Sequence, residues 1–248
     1  MMKERKGSKD RMTIKELFAG VAAVSGLPAA ELPVASITCD SRKVEKDGIF
    51  VCIDGTAVDG HRFAGDAVAA GVAAVVAERD LGLPRQILVP STRLAWAQMS
   101  ANWFGHPADK LKLIGVTGTN GKTTTSQWMA SILTELGTPC GVLGTIGCTM
   151  NGRSYSSVPL TTPDPVTLQT LLAELHRDGA KAFSIEASSI GLVQGRLDGT
   201  AISYALFTNL TRDHLDYHGT MEAYEEAKSL LFRWEGLKCS VINIDDPA

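Results

Sequence analysis

Between Ile114 and Thr125 the chain reads IGVTGTNGKTTT, which places three glycines, five threonines and one lysine in twelve residues. Glycine lets backbone N–H groups turn inward around an anion, and a helix starting there adds its N-terminal dipole. The stretch Gly118, Thr119, Asn120, Gly121, Lys122, Thr123 and Thr124 is therefore a candidate cradle for nucleotide phosphates. Lys122 would reach the β- and γ-phosphates, and the Thr123 hydroxyl suits Mg²⁺. The motif is shorter than the usual P-loop: the position five before Gly121 is Val116, not glycine.

Three further side chains could join that chemistry. Glu186 ends the apolar run AFSIE and is followed by Ala187, Ser188 and Ser189. A carboxylate at the end of a buried strand needs a partner, and a metal or another cation would serve. His214 follows Asp213 after the apolar stretch ALFTN, again where a strand gives way to a loop. Lys228 is the unusual one. At 100° per residue on a helix over 220–234 it projects between Met221 and Tyr224, while Glu222, Glu225 and Glu226 project to the other side. Either its stem lies along the apolar face and its head reaches water, or it is buried. Burial would lower its pKa and expose a neutral amine. Such an amine can take up CO₂ as a carbamate, a carboxylate-like metal ligand.

These residues need elements to aim them. Strands are expected over 111–117, 140–146, 182–187, 202–209 and 240–244, with helices over 122–136, 165–177 and 220–234. The helix after the glycine-rich turn carries Trp128, Met129, Ile132, Leu133 and Leu136, and Gly137 stands at its end. Near-continuous apolar strands alternating with helices predict an α/β fold with a parallel sheet covered on both faces. Ligands on such sheets bind at the carboxyl ends of the strands, where the polar residues above collect. An earlier segment, 12–108, has its own short strands in ASITCDSR, GIFVCI, AAVVAE and QILVP. The expected division is a disordered tail over 1–11, an N-terminal α/β domain over 12–108 and a parallel-sheet phosphate-loop domain over 109–248. The sequence stops at INIDDPA just after a strand, so the second domain reads as truncated.

Composition narrows the class. Hydrophobic content of 44% with 21% charged residues is that of a soluble globular protein. A net charge of −3 offers no basic field for nucleic acid or an anionic membrane surface. Five scattered cysteines without a CxxC pair fit a reducing cytoplasm better than a disulfide framework or zinc site.

Five separated stretches carry a resemblance: CDSRKVEKDGIFVCIDG with DGHRF, GVTGTNGKTTT, LTTPDP, EASSIGLVQGRLDG and FTNLTRDHLDYHGTMEAYEEAKSLLF. Together and in this order they resemble the Mur ligase family, specifically its MurE branch, from about Thr13 onward. The resemblance implies an ATP-dependent ligase that adds the third amino acid to UDP-N-acetylmuramoyl-L-Ala-D-Glu. That amino acid would be meso-diaminopimelate or L-lysine, with the former favoured. It implies ATP at residues 118–124, and contacts to the UDP moiety from Cys39, Ser41, Thr56, Ala57 and Val58. Contacts to the muramoyl-dipeptide would come from Thr161, Thr162, Ser188, Gln194 and Arg196. Thr123, Glu186 and His214 would hold Mg²⁺, joined by Lys228 as N6-carboxylysine. The expected protein is a cytoplasmic monomer. Ile190 departs from the family, where histidine is frequent after the two serines, so the resemblance assigns no catalytic role at that position. Two other readings stand beside this one: a nucleotide- or UDP-sugar-binding module without ligase activity, and a ligase of the folylpolyglutamate synthetase type.

Overall fold

In a computed structural model, residues 12–246 are described except for 26, 28, 29, 57 and 157–159, so the expected tail and Ala57 lie outside the described residues. The chain forms two units that divide between Trp103 and Phe104.

The first unit contains α1 (Ile14–Leu17), β1 (Ile37–Thr38), β2 (Ile49–Val51), α2 (Ala64–Ala69), β3 (Ala74–Ala77), β4 (Gln86–Leu88) and α3 (Thr92–Phe104). Its four strands pair in the order β1-β2-β3-β4, and every pairing is parallel. Strands β2 and β3 are buried at every residue, which is why IFV and AVVA are uninterrupted apolar runs. Parallel pairing puts the carboxyl ends of β1 and β2 at one edge. Cys39 and Ser41 follow the first of these ends. The turn bearing Thr56 and Val58 follows the second, closed by a bridge from Asp54 to Asp59 and by the Gly55 N–H donating to the Val58 carbonyl at 3.1 Å.

The second unit runs β5 (Lys112–Thr117), α4 (Lys122–Glu135), β6 (Cys140–Gly144), β7 (Gly147–Met150), β8 (Arg153–Ser156), α5 (Pro165–Arg177), β9 (Ala182–Glu186) and α6 (Ser189–Val193). It continues with β10 (Ile202–Phe207), α7 (Leu215–His218), α8 (Met221–Ser229), a 3₁₀ turn over Leu230–Arg233 and β11 (Cys239–Ile242). The strand order is β11-β10-β5-β9-β6-β7-β8. The five expected strands are all there and pair in parallel.

The sheet is not purely parallel, however. Strands β7 and β8 add an antiparallel ribbon at one edge. Their turn is Asn151-Gly152, with both residues at positive φ, the pairing that two-residue hairpins favour. The expected helix over 220–234 also divides. Its last turn tightens to a 3₁₀ turn, and Leu231 closes over Gly115 so tightly that a Cβ there would lie 2.8 Å from a Leu231 methyl.

One face of this sheet packs Leu168, Leu171, Leu172 and Leu175 of α5 against Leu113, Leu143, Phe183 and Ile185. On α4 the packing differs from what its large apolar residues imply. Ala130 and Ser126 are buried, Ala130 meeting Cys140, Val142 and Ala182, whereas Trp128 is 67% exposed and Ile132 and Leu136 also face outward. Small residues let the helix lie close to the sheet. No helix among the described residues is long and apolar enough to cross a membrane.

Candidate active site

Strand β5 lies between β10 and β9, so the segments that follow all three strands leave the sheet at one edge. The glycine-rich turn follows β5, Glu186 ends β9, and the stretch from Thr208 to His214 follows β10.

The turn is built from close backbone contacts. Gly118 has φ of 142°, and a side chain there would run into the Thr208 hydroxyl. Gly121, at φ of 82°, starts α4 without a side-chain cap, which leaves the first-turn N–H groups of α4 available to an anion. The N–H groups of Thr119 and Asn120 are already committed. Thr119 N–H donates to the Asn209 carbonyl at 2.8 Å, and Asn120 N–H donates to Asn209 Oδ1 at 3.0 Å. Asn209 Nδ2 and Thr208 Oγ1 return bonds to the Asn120 carbonyl at 3.1 and 2.6 Å. The sequence reading did not single out Thr208 and Asn209; their signal is their place directly after a strand of the same sheet.

Two lysines meet in this loop. Lys122 Nζ donates to the carbonyls of Gly118 at 2.8 Å and Thr119 at 2.9 Å. Lys228 Nζ donates to the same Gly118 carbonyl at 2.8 Å. Lys228 is 3% exposed, so the inward orientation is the observed one and the water-reaching alternative is not. Burial, reinforced by the neighbouring Lys122 charge and opposed by Asp213, pushes its pKa down to about 7. Burial also lowers the Lys122 pKa, against the attraction of Glu186 and Asp213. Two lysine nitrogens on one carbonyl, beside open N–H donors, are chemistry suited to an anion.

Glu186 is 2% exposed. Its carboxylate accepts from Thr145 N–H at 3.0 Å and from Thr145 Oγ1 at 3.2 Å, and it forms no ion pair among the described residues. A buried anion held only by neutral donors is suited to a divalent cation. Gly144 makes its position possible, because a side chain there would collide with the carboxylate. Thr145 and Gly144 were not read as site residues from the sequence.

Around Glu186 the residues expected to touch the dipeptide form one network. Thr161 Oγ1 lies 3.1 Å from Thr145 Oγ1. Thr162 Oγ1 donates to the Glu186 carbonyl at 2.7 Å, accepts from Ser188 N–H at 3.0 Å and lies 2.9 Å from Ser188 Oγ. Arg196 reaches the Thr162 carbonyl at 2.8 Å and Gln194 Oε1 at 2.6 and 3.0 Å. Gln194 in turn donates to the Tyr217 hydroxyl at 3.1 Å.

His214 is half-exposed in the left-handed region at φ of 50°. Its Nε2 lies 3.7 Å from Asp213 Oδ2, and its ring meets Tyr224 edge-on at 6.0 Å. The structure puts no hydrogen bond or ion pair between His214 and Glu186. Among the described residues no three His, Cys, Asp or Glu side chains gather as a metal site. A metal held here would need ligands beyond Glu186 and His214, such as phosphate oxygens.

Comparison with known proteins gives the geometry a family. The model of the Mur ligase middle domain matches residues 116–248, and that of the Mur ligase family catalytic domain matches residues 33–99. A UDP-N-acetylmuramoyl-L-alanyl-D-glutamate–2,6-diaminopimelate ligase of Ectopseudomonas mendocina is 48% identical over 89% of this chain and 47% of its own length. The ligase of the same name from Pseudomonas aeruginosa is 46% identical over 95% of this chain and 48% of its own. A solved structure with that name superposes with a TM-score of 0.81 at 36% identity, covering 96% of this chain and 48% of that one. The chain thus spans about half the length of the relatives it matches. It belongs to the Mur ligase family.

Proposed function

We propose that this chain carries the nucleotide- and acceptor-binding part of a ligase that joins an amino acid to UDP-N-acetylmuramoyl-L-Ala-D-Glu at the expense of ATP. The observation that carries the reading is the meeting of Lys122 and Lys228 on the Gly118 carbonyl, beside the open N-terminus of α4. ATP would lay its phosphates along residues 118–124, with Lys122 turning from the loop carbonyls to the β- and γ-phosphates.

In the reaction the γ-phosphoryl group passes to an oxygen of the D-glutamyl γ-carboxylate, and ADP leaves. The amine of the incoming amino acid then attacks the acyl carbon through a tetrahedral intermediate, losing a proton as phosphate departs. We take the amino acid to be meso-2,6-diaminopimelate, supported by the names of the relatives, with L-lysine the other candidate. Thr161, Thr162, Ser188, Gln194 and Arg196 would hold the muramoyl-dipeptide, since their network continues from Glu186. Arg196 would turn its guanidinium to a substrate carboxylate. Cys39, Ser41, Thr56 and Val58 would hold the UDP end in the first unit.

The donor chemistry fits magnesium: a buried carboxylate without a cation at Glu186, a first-turn hydroxyl at Thr123 and the imidazole of His214. Bound magnesium would neutralise charge on the transferring phosphoryl group and align it. Lys228, with a pKa near 7, has a substantial neutral fraction at neutral pH, so it can add CO₂ as a carbamate and release a proton. That would convert a buried cation into a metal-binding anion.

The test is product formation. The whole protein, supplied with ATP, Mg²⁺, the UDP-muramoyl-dipeptide and diaminopimelate, is expected to yield the UDP-muramoyl-tripeptide by mass spectrometry. Absence of the tripeptide, with protein that is folded and binds nucleotide, would overturn the ligase reading.

A further inference from the structure

Thr117, the last residue of β5, is fully buried, and its Oγ1 has no hydrogen-bond partner among the described residues. Its backbone is engaged, since the carbonyl accepts from Thr208 N–H at 3.1 Å and from Thr208 Oγ1 at 3.3 Å. A buried hydroxyl left unpaired is costly, so its place beside the phosphate loop calls for a partner that arrives with function.

Side chains alternate along a strand, so Leu113, Gly115 and Thr117 share one face of β5. Leu113 lies in the core on that face, and a Cβ at Gly115 would touch Leu231. Lys228 stands one helical turn before Leu231, on the same side. Beside Thr117 lie Phe207, its register partner in β10, and Ala187, whose N–H donates to the Val116 carbonyl at 2.9 Å. Neither offers a polar side chain. Among the buried residues of α8, Ala227 has no polar side-chain atom, and the Tyr224 hydroxyl lies 3.2 Å from Thr119 Oγ1. Lys228 is the polar group left, and its Nζ donates to the carbonyl of Gly118, the residue after Thr117.

A carbamate would use both features. When the neutral Lys228 amine adds to CO₂, a nitrogen–carbon bond forms and the amine gives up one proton to solvent. The nitrogen keeps one N–H, which can stay on the Gly118 carbonyl. The new carboxylate is a buried anion with two oxygens, and such an anion needs donors. Thr117 has an O–H whose proton no other group takes, and hydrogen bonds to a charged oxygen are the stronger kind. With one oxygen on Thr117, the second stays free to face magnesium.

We propose that Thr117 is a positioning residue for the Lys228 carbamate: its hydroxyl donates to one carbamate oxygen and holds the group in place. The inference rests on the carbamate reading above and names a donor for it.

The experiment is a titration of the whole protein with ¹³C-bicarbonate and Mg²⁺, followed by ¹³C NMR, with Lys228→Met as the blank. Wild type is expected to show a carbamate resonance that Lys228→Met lacks. Thr117→Val keeps a similar volume without the donor. It is expected to need at least about tenfold more dissolved CO₂ for half occupancy, the scale of a hydrogen bond to a charged group. Thr117→Ser keeps the donor and is expected to fill within about threefold of wild type. In CO₂-depleted buffer Thr117→Val is expected to melt no lower than wild type, because it removes an unpartnered polar group.

A Thr117→Val protein that fills as readily as wild type would overturn the positioning role, as would a Thr117→Ser protein that fills no better than Thr117→Val. So would a Thr117→Val protein that melts well below wild type without CO₂, since the hydroxyl would then have its partner within the protein. A folded wild type without the resonance would instead overturn the carbamate reading on which the inference rests.

Discussion

The Glu186 carboxylate reaches its place only because residue 144 lacks a side chain. Gly144→Ala is expected to displace it and to lower ligation by the whole protein by at least about 10²-fold, the usual consequence of misplacing a reacting group by an ångström. Thermal melting would show a folded variant, and ligation near the wild-type rate would remove Glu186 from the site. Lys228 gives a second prediction at this scale. If it works as a carbamate, Lys228→Ala should lose activity and regain part of it with added short carboxylic acids, which can occupy the vacated volume. No rescue would leave the carbamate without support. Lys228 itself was legible in the sequence because helical phase puts a charge on an apolar stripe. Glu186 was legible as a carboxylate at a strand end. Gly144, Thr145 and Asn209 were not, since their roles depend on which neighbour the sheet places beside them.

The elements were legible wherever apolar period and cap signals agreed. Helix α5 spans Pro165–Arg177 as expected, because Asp164 and Pro165 define its start. Asp164 accepts from Val166 N–H and Thr167 N–H, each at 3.1 Å, and from Thr167 Oγ1 at 2.6 Å. Asp164→Ala is expected to cost about 1–2 kcal/mol, read as a lower urea midpoint at unchanged slope; an unmoved midpoint would contradict the cap. The β7–β8 ribbon escaped the reading although Asn151-Gly152 announces it, because each strand is only four residues long. On α4 the large apolar residues misled. Packing there is decided by Ser126 and Ala130, and small residues leave little trace in a hydrophobic pattern.

At the scale of the whole molecule, the structure has two units with separate sheets, and the sequence shows two textures, each with short apolar strands between helices. The strand order was not legible, since the sequence names the strands without saying which lie side by side. That order makes the site: β10, β5 and β9 are neighbours, so the stretches around residues 118–124, 186 and 208–214 leave the sheet side by side.

The central claim is that this loop holds the phosphates of the ATP consumed in ligation. Its most direct test is Lys122→Ala in the whole protein, with tripeptide formation followed in time and the fold checked by thermal melting. The account predicts a folded protein whose ligation falls by at least about 10³-fold, the scale at which a missing phosphoryl-clamping cation acts. A Lys122→Ala protein that ligates at close to the wild-type rate would contradict it.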